Sequence, residues 1–156
     1  MRFRWQDGAV TLDGSPIGHP GDGFWSASMS LDLGGERWTY RTEPDWLVGT
    51  SGDARVRMER GRFLASGWGF DGPSGTGELQ RTTNALLGRL HFDVHHAGER
   101  IGEIAPEGPW LYRPALTLER PLHHAEAVML LWAASRIDAR RPLRTIRSMS
   151  GISGGS

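Results

Sequence analysis

His123-His-Ala-Glu-Ala-Val-Met-Leu-Leu-Trp-Ala-Ala-Ser-Arg-Ile-Asp-Ala-Arg140 is the stretch whose reading decides the fold. Within it, Ala127 to Ala134 (AVMLLWAA) is unbroken apolar sequence. A helix lying on a sheet shows an apolar stripe, whereas this one is apolar in every direction and must be buried on every side. The run is far shorter than the ~20 residues that cross a bilayer. The economical solution is a helix over about 122–140 enclosed by the rest of its own chain. Pro121 is expected at its first turn, where the missing N–H costs nothing. Beyond its end stand Arg141 and Pro142, and proline cannot continue a helix.

What precedes the helix alternates with the period of β-strands. Phe3 and Trp5 alternate with Arg2 and Arg4; Val10 and Leu12 follow a turn at Asp7-Gly8, and Asp13-Gly-Ser-Pro16 forms a second turn. Phe24 to Leu33 reads as one long strand, closed by Gly34-Gly35 into a hairpin with Glu36 to Thr42. Trp46 to Thr50, Ala54 to Glu59 and Arg62 to Phe70 follow as strands. Asp71 to Gly77 is a loop and Glu78 to Thr83 a short polar strand. Leu86 to His96 is the clearest strand, with Leu90, Phe92 and Val94 inward and Arg89, His91, Asp93 and His95 outward. Arg100 to Ala105 and Trp110 to Leu118 complete the series. An open sheet of ten to twelve strands would leave edges exposed to aggregation, and closure removes them. The predicted fold is therefore mainly β: a closed antiparallel barrel of about twelve strands around a buried C-terminal hydrophobic helix. Residues 1–147 form this single domain, and 148–156 a flexible Gly/Ser tail.

Composition narrows the functional classes. The 18 basic and 18 acidic residues balance, so no nucleic-acid partner follows from total charge. All the basic residues are Arg, which fits either a GC-rich coding sequence or a need for forked, phosphate-matching groups. The lack of cysteine excludes a disulfide, a thiolate nucleophile and a Cys-based zinc site. Met1-Arg-Phe-Arg-Trp-Gln-Asp7 lacks an apolar signal region, so a cytoplasmic location is expected.

His91-Phe-Asp-Val-His-His-Ala-Gly-Glu-Arg-Ile-Gly-Glu-Ile104, followed by the apolar helix, resembles the hairpin of the tubby-like superfamily. There, strands of the form F-x-V-x-D-x-x-G-x-x-I-G-x-I precede a C-terminal helix rich in Leu, Val and Trp. Asp13-Gly-Ser-Pro-Ile-Gly18 is a weaker copy of the same turn. The superfamily comprises tubby C-terminal domains, phospholipid scramblases, LURP-one-related proteins and bacterial relatives. The resemblance covers Leu86 to Arg140, about a third of the chain, and implies a twelve-stranded barrel around a helix. This sequence has no counterpart of the basic phosphoinositide pocket of tubby domains or of the acidic calcium segment of scramblases. The resemblance therefore bears on fold more than on activity.

Motifs that carry chemistry are few. His91, Asp93 and His95 share one outward face, but positions two apart on a strand are separated by ~6.6–6.8 Å and positions four apart by ~13 Å. His91 and His95 thus cannot hold one ion, and no metal site is assigned. His123 and Glu126, three apart, read as an exposed first helical turn with the carboxylate near the positive helix end. No Gly-x-Ser-x-Gly elbow opens a helix. The glycine-rich Phe70 to Gly77 lacks the Lys-Ser/Thr ending of a phosphate loop. No catalytic residue and no cofactor are assigned. The seven tryptophans are expected mostly to fill the barrel, with one or two free to line a binding surface. The strongest interaction segment is Arg136, Arg140, Arg141, Arg144 and Arg147, opposed only by Asp138.

The resemblance and the Arg segment together lead us to expect a bacterial, non-enzymatic tubby-like domain that binds anionic lipid or the membrane surface. Those five arginines would be the contact, without a transmembrane segment. The alternatives are a protein–protein interaction module and a small-ligand-binding barrel. In the last, the helix would compete with the ligand for the interior.

Overall fold

A computed structural model describes residues 1–60, 67–82, 91–107 and 113–136. Twelve strands form one antiparallel sheet that curls into a nearly closed barrel around a C-terminal helix, α1, described over 124–136. The strands are β1 (Arg2–Gln6), β2 (Ala9–Leu12), β3 (Ser15–Gly18), β4 (Ser28–Leu33), β5 (Glu36–Thr42) and β6 (Trp46–Ser51). They continue with β7 (Ala54–Arg60), β8 (Gly67–Gly72), β9 (Gly75–Arg81), β10 (Phe92–His96), β11 (Glu99–Glu107) and β12 (Arg113–Leu118). Neighbours in sequence are neighbours in the sheet, and β1 pairs with β12 to bring the two ends of the meander together. The one seam lies between β3 and β4. They close by packing rather than by a hydrogen-bonded ladder. A Cβ on Gly18 would stand 2.6 Å from Leu31 Cδ1 and 3.2 Å from Asp32 O, so glycine lets the two strands come this close without displacing Leu31.

The helix is enclosed as its sequence requires. Ten consecutive residues, Ala125 to Ala134, have 0% exposure. Successive side chains point ~100° apart, so zero exposure over ten positions requires walls on every side. The inner wall comes from alternate strand positions: Phe3, Leu116, Ile104 and Phe92 form one cross-strand row over four adjacent strands. Trp38 and Trp132, both fully buried, belong to this filling.

Several local expectations need correction. Phe24 to Leu33 is not one strand: a 3-10 helix, Gly21–Trp25, precedes β4. Gly21 adopts φ +57° and donates its N–H to Gly8 O at 3.0 Å, while Phe24 turns inward and stacks on Trp5 with centroids 5.7 Å apart. Burying Phe24 beside the seam outweighs continuing the strand. The turn after β2 needs only Asp13 and Gly14, both at positive φ, and Ser15–Gly18 is already strand β3. The Asp71–Gly77 loop shrinks likewise to a tight turn at Pro73 and Ser74, with strand on either side. Pro121 lies ahead of the helix, whose first residue is His124. Leu86 to Leu90, Trp110 and the tail from 137 lie outside the described residues.

Candidate functional site

The hairpin turn between β8 and β9 is fastened to the start of α1. His123 donates its backbone N–H to Ser74 Oγ at 3.0 Å and to Glu126 Oε2 at 3.2 Å. Glu126 Oε1 accepts from Ser74 N at 3.1 Å, and His123 Nδ1 accepts from Ala125 N at 3.2 Å. This is a capping box with histidine as the cap, extended to a residue 49 positions earlier in the chain. Glu126 is fully buried, not the exposed first-turn carboxylate expected from sequence. It fits because Gly72 lacks a side chain: a Cβ there would lie 2.5 Å from Glu126 Oε1. Tyr40 donates to Ala125 O at 2.8 Å, and burial, reinforced by the Glu126 charge, pushes its phenol well above the usual range. Tyr40, Ala125 and Glu126 are fully buried while Ser74 and His123 stand at the surface, and together these bonds anchor the start of the helix.

The outer face of β6–β10 is different. On β8, Trp68 and Phe70 are directed inward, leaving Gly67, Gly69 and Asp71 on the outside. A Cβ at Gly67 or Gly69 would meet nothing within 4 Å. The register places Gly69 between Glu59 on β7 and Glu78 on β9, with Trp46 and His95 one strand further out on either side. Asp71 lies between Arg57 and Thr76 in the next row. With strands ~4.8 Å apart, the side-chain rows of β7 and β9 stand roughly 10 Å apart across a bare backbone floor. The result is an open recess of about 1050 Å³. Its β6 side is built by Trp46, with Arg57 Cζ 3.6 Å from the ring centroid. Among the lining residues three carboxylates, Glu59, Asp71 and Glu78, face one arginine.

Further round the same outer surface, Asp93 lies directly opposite Glu103 across the β10–β11 pair. Like charges in that position repel, and Arg100 bridges them, with Nε 3.1 Å from Asp93 Oδ1 and Nη2 3.4 Å from Glu103 Oε2. The hydrogen bond to Asp93 holds the Arg100 guanidinium above its already high pKa. His91 joins them, Nε2 lying 3.4 Å from Glu103 Oε2. The sequence drew attention to His91, Asp93 and His95, but it is Glu103, on the neighbouring strand, that completes the group. A bulge between Val94 and His95 separates His95 from it.

Of the Arg segment, Arg136 is described: its guanidinium packs over Trp132, with Cζ 5.4 Å from the ring centroid. Arg140, Arg141, Arg144 and Arg147 lie outside the described residues. Among the described tryptophans Trp25 is the most exposed, at 44%, edge-on to Trp5 and Phe24. Among the described residues no helix is long and apolar enough to cross a membrane.

Comparison with protein families, with curated proteins and with solved structures finds no match.

Proposed function

We propose that the protein is a non-enzymatic interaction module that works from its outer surface, receiving an extended protein segment in the recess over β8. The observation that carries this reading is the outward Gly69, which leaves a strand-wide gap between Glu59 on β7 and Glu78 on β9. The interior supports it too, because the helix occupies the space a lumenal ligand would need. Glu59, Asp71 and Glu78 outnumber Arg57 and favour a segment bearing Arg or Lys, and Trp46, with Arg57 stacked on its ring, closes the β6 rim. A peptide array probed with wild type and with Gly69→Trp tests it. Basic extended peptides should bind wild type, and the indole should block them while the melting temperature is unchanged. Binding that survives Gly69→Trp, or no selective binding by wild type, overturns the reading.

A second reading has its own support in the sequence: five arginines against one aspartate from Arg136 to Arg147. In this reading the segment holds the domain on anionic lipid. Basic residues at such a surface contribute about 1 kcal/mol each, so replacing Arg140, Arg141, Arg144 and Arg147 with Gln should weaken vesicle binding on the order of a thousandfold. The measurement is flotation with phosphatidylserine-containing and pure phosphatidylcholine vesicles. Equal recovery of wild type with both, or no salt dependence, removes the lipid reading without touching the recess.

A further inference from the structure

The outer face of the β10–β11 hairpin carries the geometry of a chelate. His91 lies just before β10 and Asp93 within it, two positions apart, while Glu103 stands directly across from Asp93 on β11. Two ligands at i and i+2 and a third from the adjacent strand converge on one side of a sheet. Their ligand atoms all lie within 4.8 Å of one another. Ligands bound to one ion at ~2.0–2.2 Å in a tetrahedral set are ~3.4 Å apart, and the His91 Nε2–Glu103 Oε2 separation is already 3.4 Å.

The surroundings are arranged as a metal site requires. His91 Nδ1 lies 2.9 Å from Thr82 Oγ1, which fixes the ring with Nε2 towards the carboxylates. A hydroxyl can donate or accept. Thr82 therefore serves when Nε2 carries the proton and also when that proton resides on Nδ1 and Nε2 is a free ligand. An oriented imidazole with its second nitrogen held in this way is the usual support of a ligating histidine. The backbone reinforces it, Thr82 N donating to His91 O at 2.8 Å. Arg100 supplies the counter-charge between the carboxylates and also has a third partner, Glu119 Oε1, 3.4 Å from Nη1. It can keep Glu119 while an ion takes Asp93 and Glu103.

We propose that His91 Nε2, Asp93 and Glu103 bind a divalent transition ion, with Arg100 as the built-in cation that the ion displaces. One imidazole and two carboxylates match Zn²⁺ or Mn²⁺ better than the all-oxygen sets of Ca²⁺ and Mg²⁺. Three protein ligands on one face leave the outward positions for water or a ligand atom of a partner. This site is separate from the recess over β8 and does not depend on it.

Isothermal titration of the full chain with ZnCl₂ tests the proposal, with histidine side-chain NMR identifying the ring that responds. One site is expected, with His91 as the perturbed imidazole. Thr82→Val should weaken it by the ~10–100-fold typical of a supporting residue, and His91→Gln or Glu103→Gln by more. Arg100→Gln should strengthen it, because the competing cation is gone. All four substitutions lie on the outer surface, and thermal melting verifies that each variant is folded. Zn²⁺ binding that perturbs His95, His96 or His123 instead of His91 overturns the proposal. So does a site indifferent to His91→Gln and Glu103→Gln, or one that Arg100→Gln weakens, or no saturable binding by the wild type.

Discussion

The two faces of the sheet from β7 to β11 follow different rules. Inward, the apolar side chains Val56, Met58, Phe70, Leu79, Phe92 and Val94 are buried in the core that the helix shares. Outward, the same strands carry glycines, carboxylates, arginines and histidines whose meaning depends on their neighbours across the ladder. Glu59, Gly69 and Glu78 mean little singly and form a trough together. Asp93 and Glu103 are ten residues apart in sequence and face to face in the sheet. The inner face determines whether the chain folds, and the outer face determines what it can meet.

This contrast predicts a graded series of substitution effects. The largest belongs to the centre of the helix. Leu131→Asp puts a carboxylate where exposure is 0%, and an unpaired buried charge costs several kcal/mol or forces protonation. That is comparable with a typical folding free energy of ~5–15 kcal/mol. The variant should be insoluble or lack a cooperative melt. Soluble protein with a sharp transition would break the comparison at its strongest point.

Next is the buried polar fastening. Glu126→Ala removes the acceptor of Ser74 N and one of two acceptors of His123 N, and hydrogen bonds to charged groups contribute ~1.5–3 kcal/mol each. A loss of about 3 kcal/mol is expected in chemical denaturation. A change below ~0.5 kcal/mol would place Glu126 among the dispensable surface charges.

Tyr40→Phe should cost about 1 kcal/mol, the net contribution of one hydrogen bond. It carries a pH signature as well. Burial raises the phenol pKa in the folded state, so the neutral form's contribution is complete below the unfolded value of ~10 and is lost as pH rises above it. Denaturant midpoints followed from pH 9 to about 11 should fall less steeply in Tyr40→Phe than in wild type. Parallel curves would mean that the Tyr40 phenol does not couple to folding.

The smallest effect belongs to the outside. Gly69→Trp fills open space at a position without positive φ, so stability should stay within ~0.5 kcal/mol of wild type. A larger loss would show that the floor of the recess is structural.

What could be read from the sequence divides along the same line. Inside, eight apolar positions in succession have one physical solution, so the helix and the wall around it follow from residues 127–134 and from the alternation in strands such as Phe92–Val94. Outside, Glu103 could not be joined to His91 and Asp93 without the β10–β11 register, which the bulge at Val94/His95 shifts. The burial of Glu126 was equally hidden, because its second partner, Ser74, comes from a distant hairpin turn. Phe24 shows the reverse failure. The alternation of Met29, Leu31 and Leu33 suggests a strand reaching back to Phe24, yet Phe24 packs against Trp5 and the backbone there forms a 3-10 turn.

Native-state hydrogen exchange reads the enclosure of α1 without any substitution. A helix surrounded by strands cannot open by itself, so its amides can exchange only when the barrel comes apart. The amides of Leu130, Leu131 and Trp132 should therefore show an opening free energy equal to that of global unfolding, with the same denaturant dependence. Exchange of those three amides through a smaller, local opening would contradict the account, because it would mean that the helix can leave while the barrel stands.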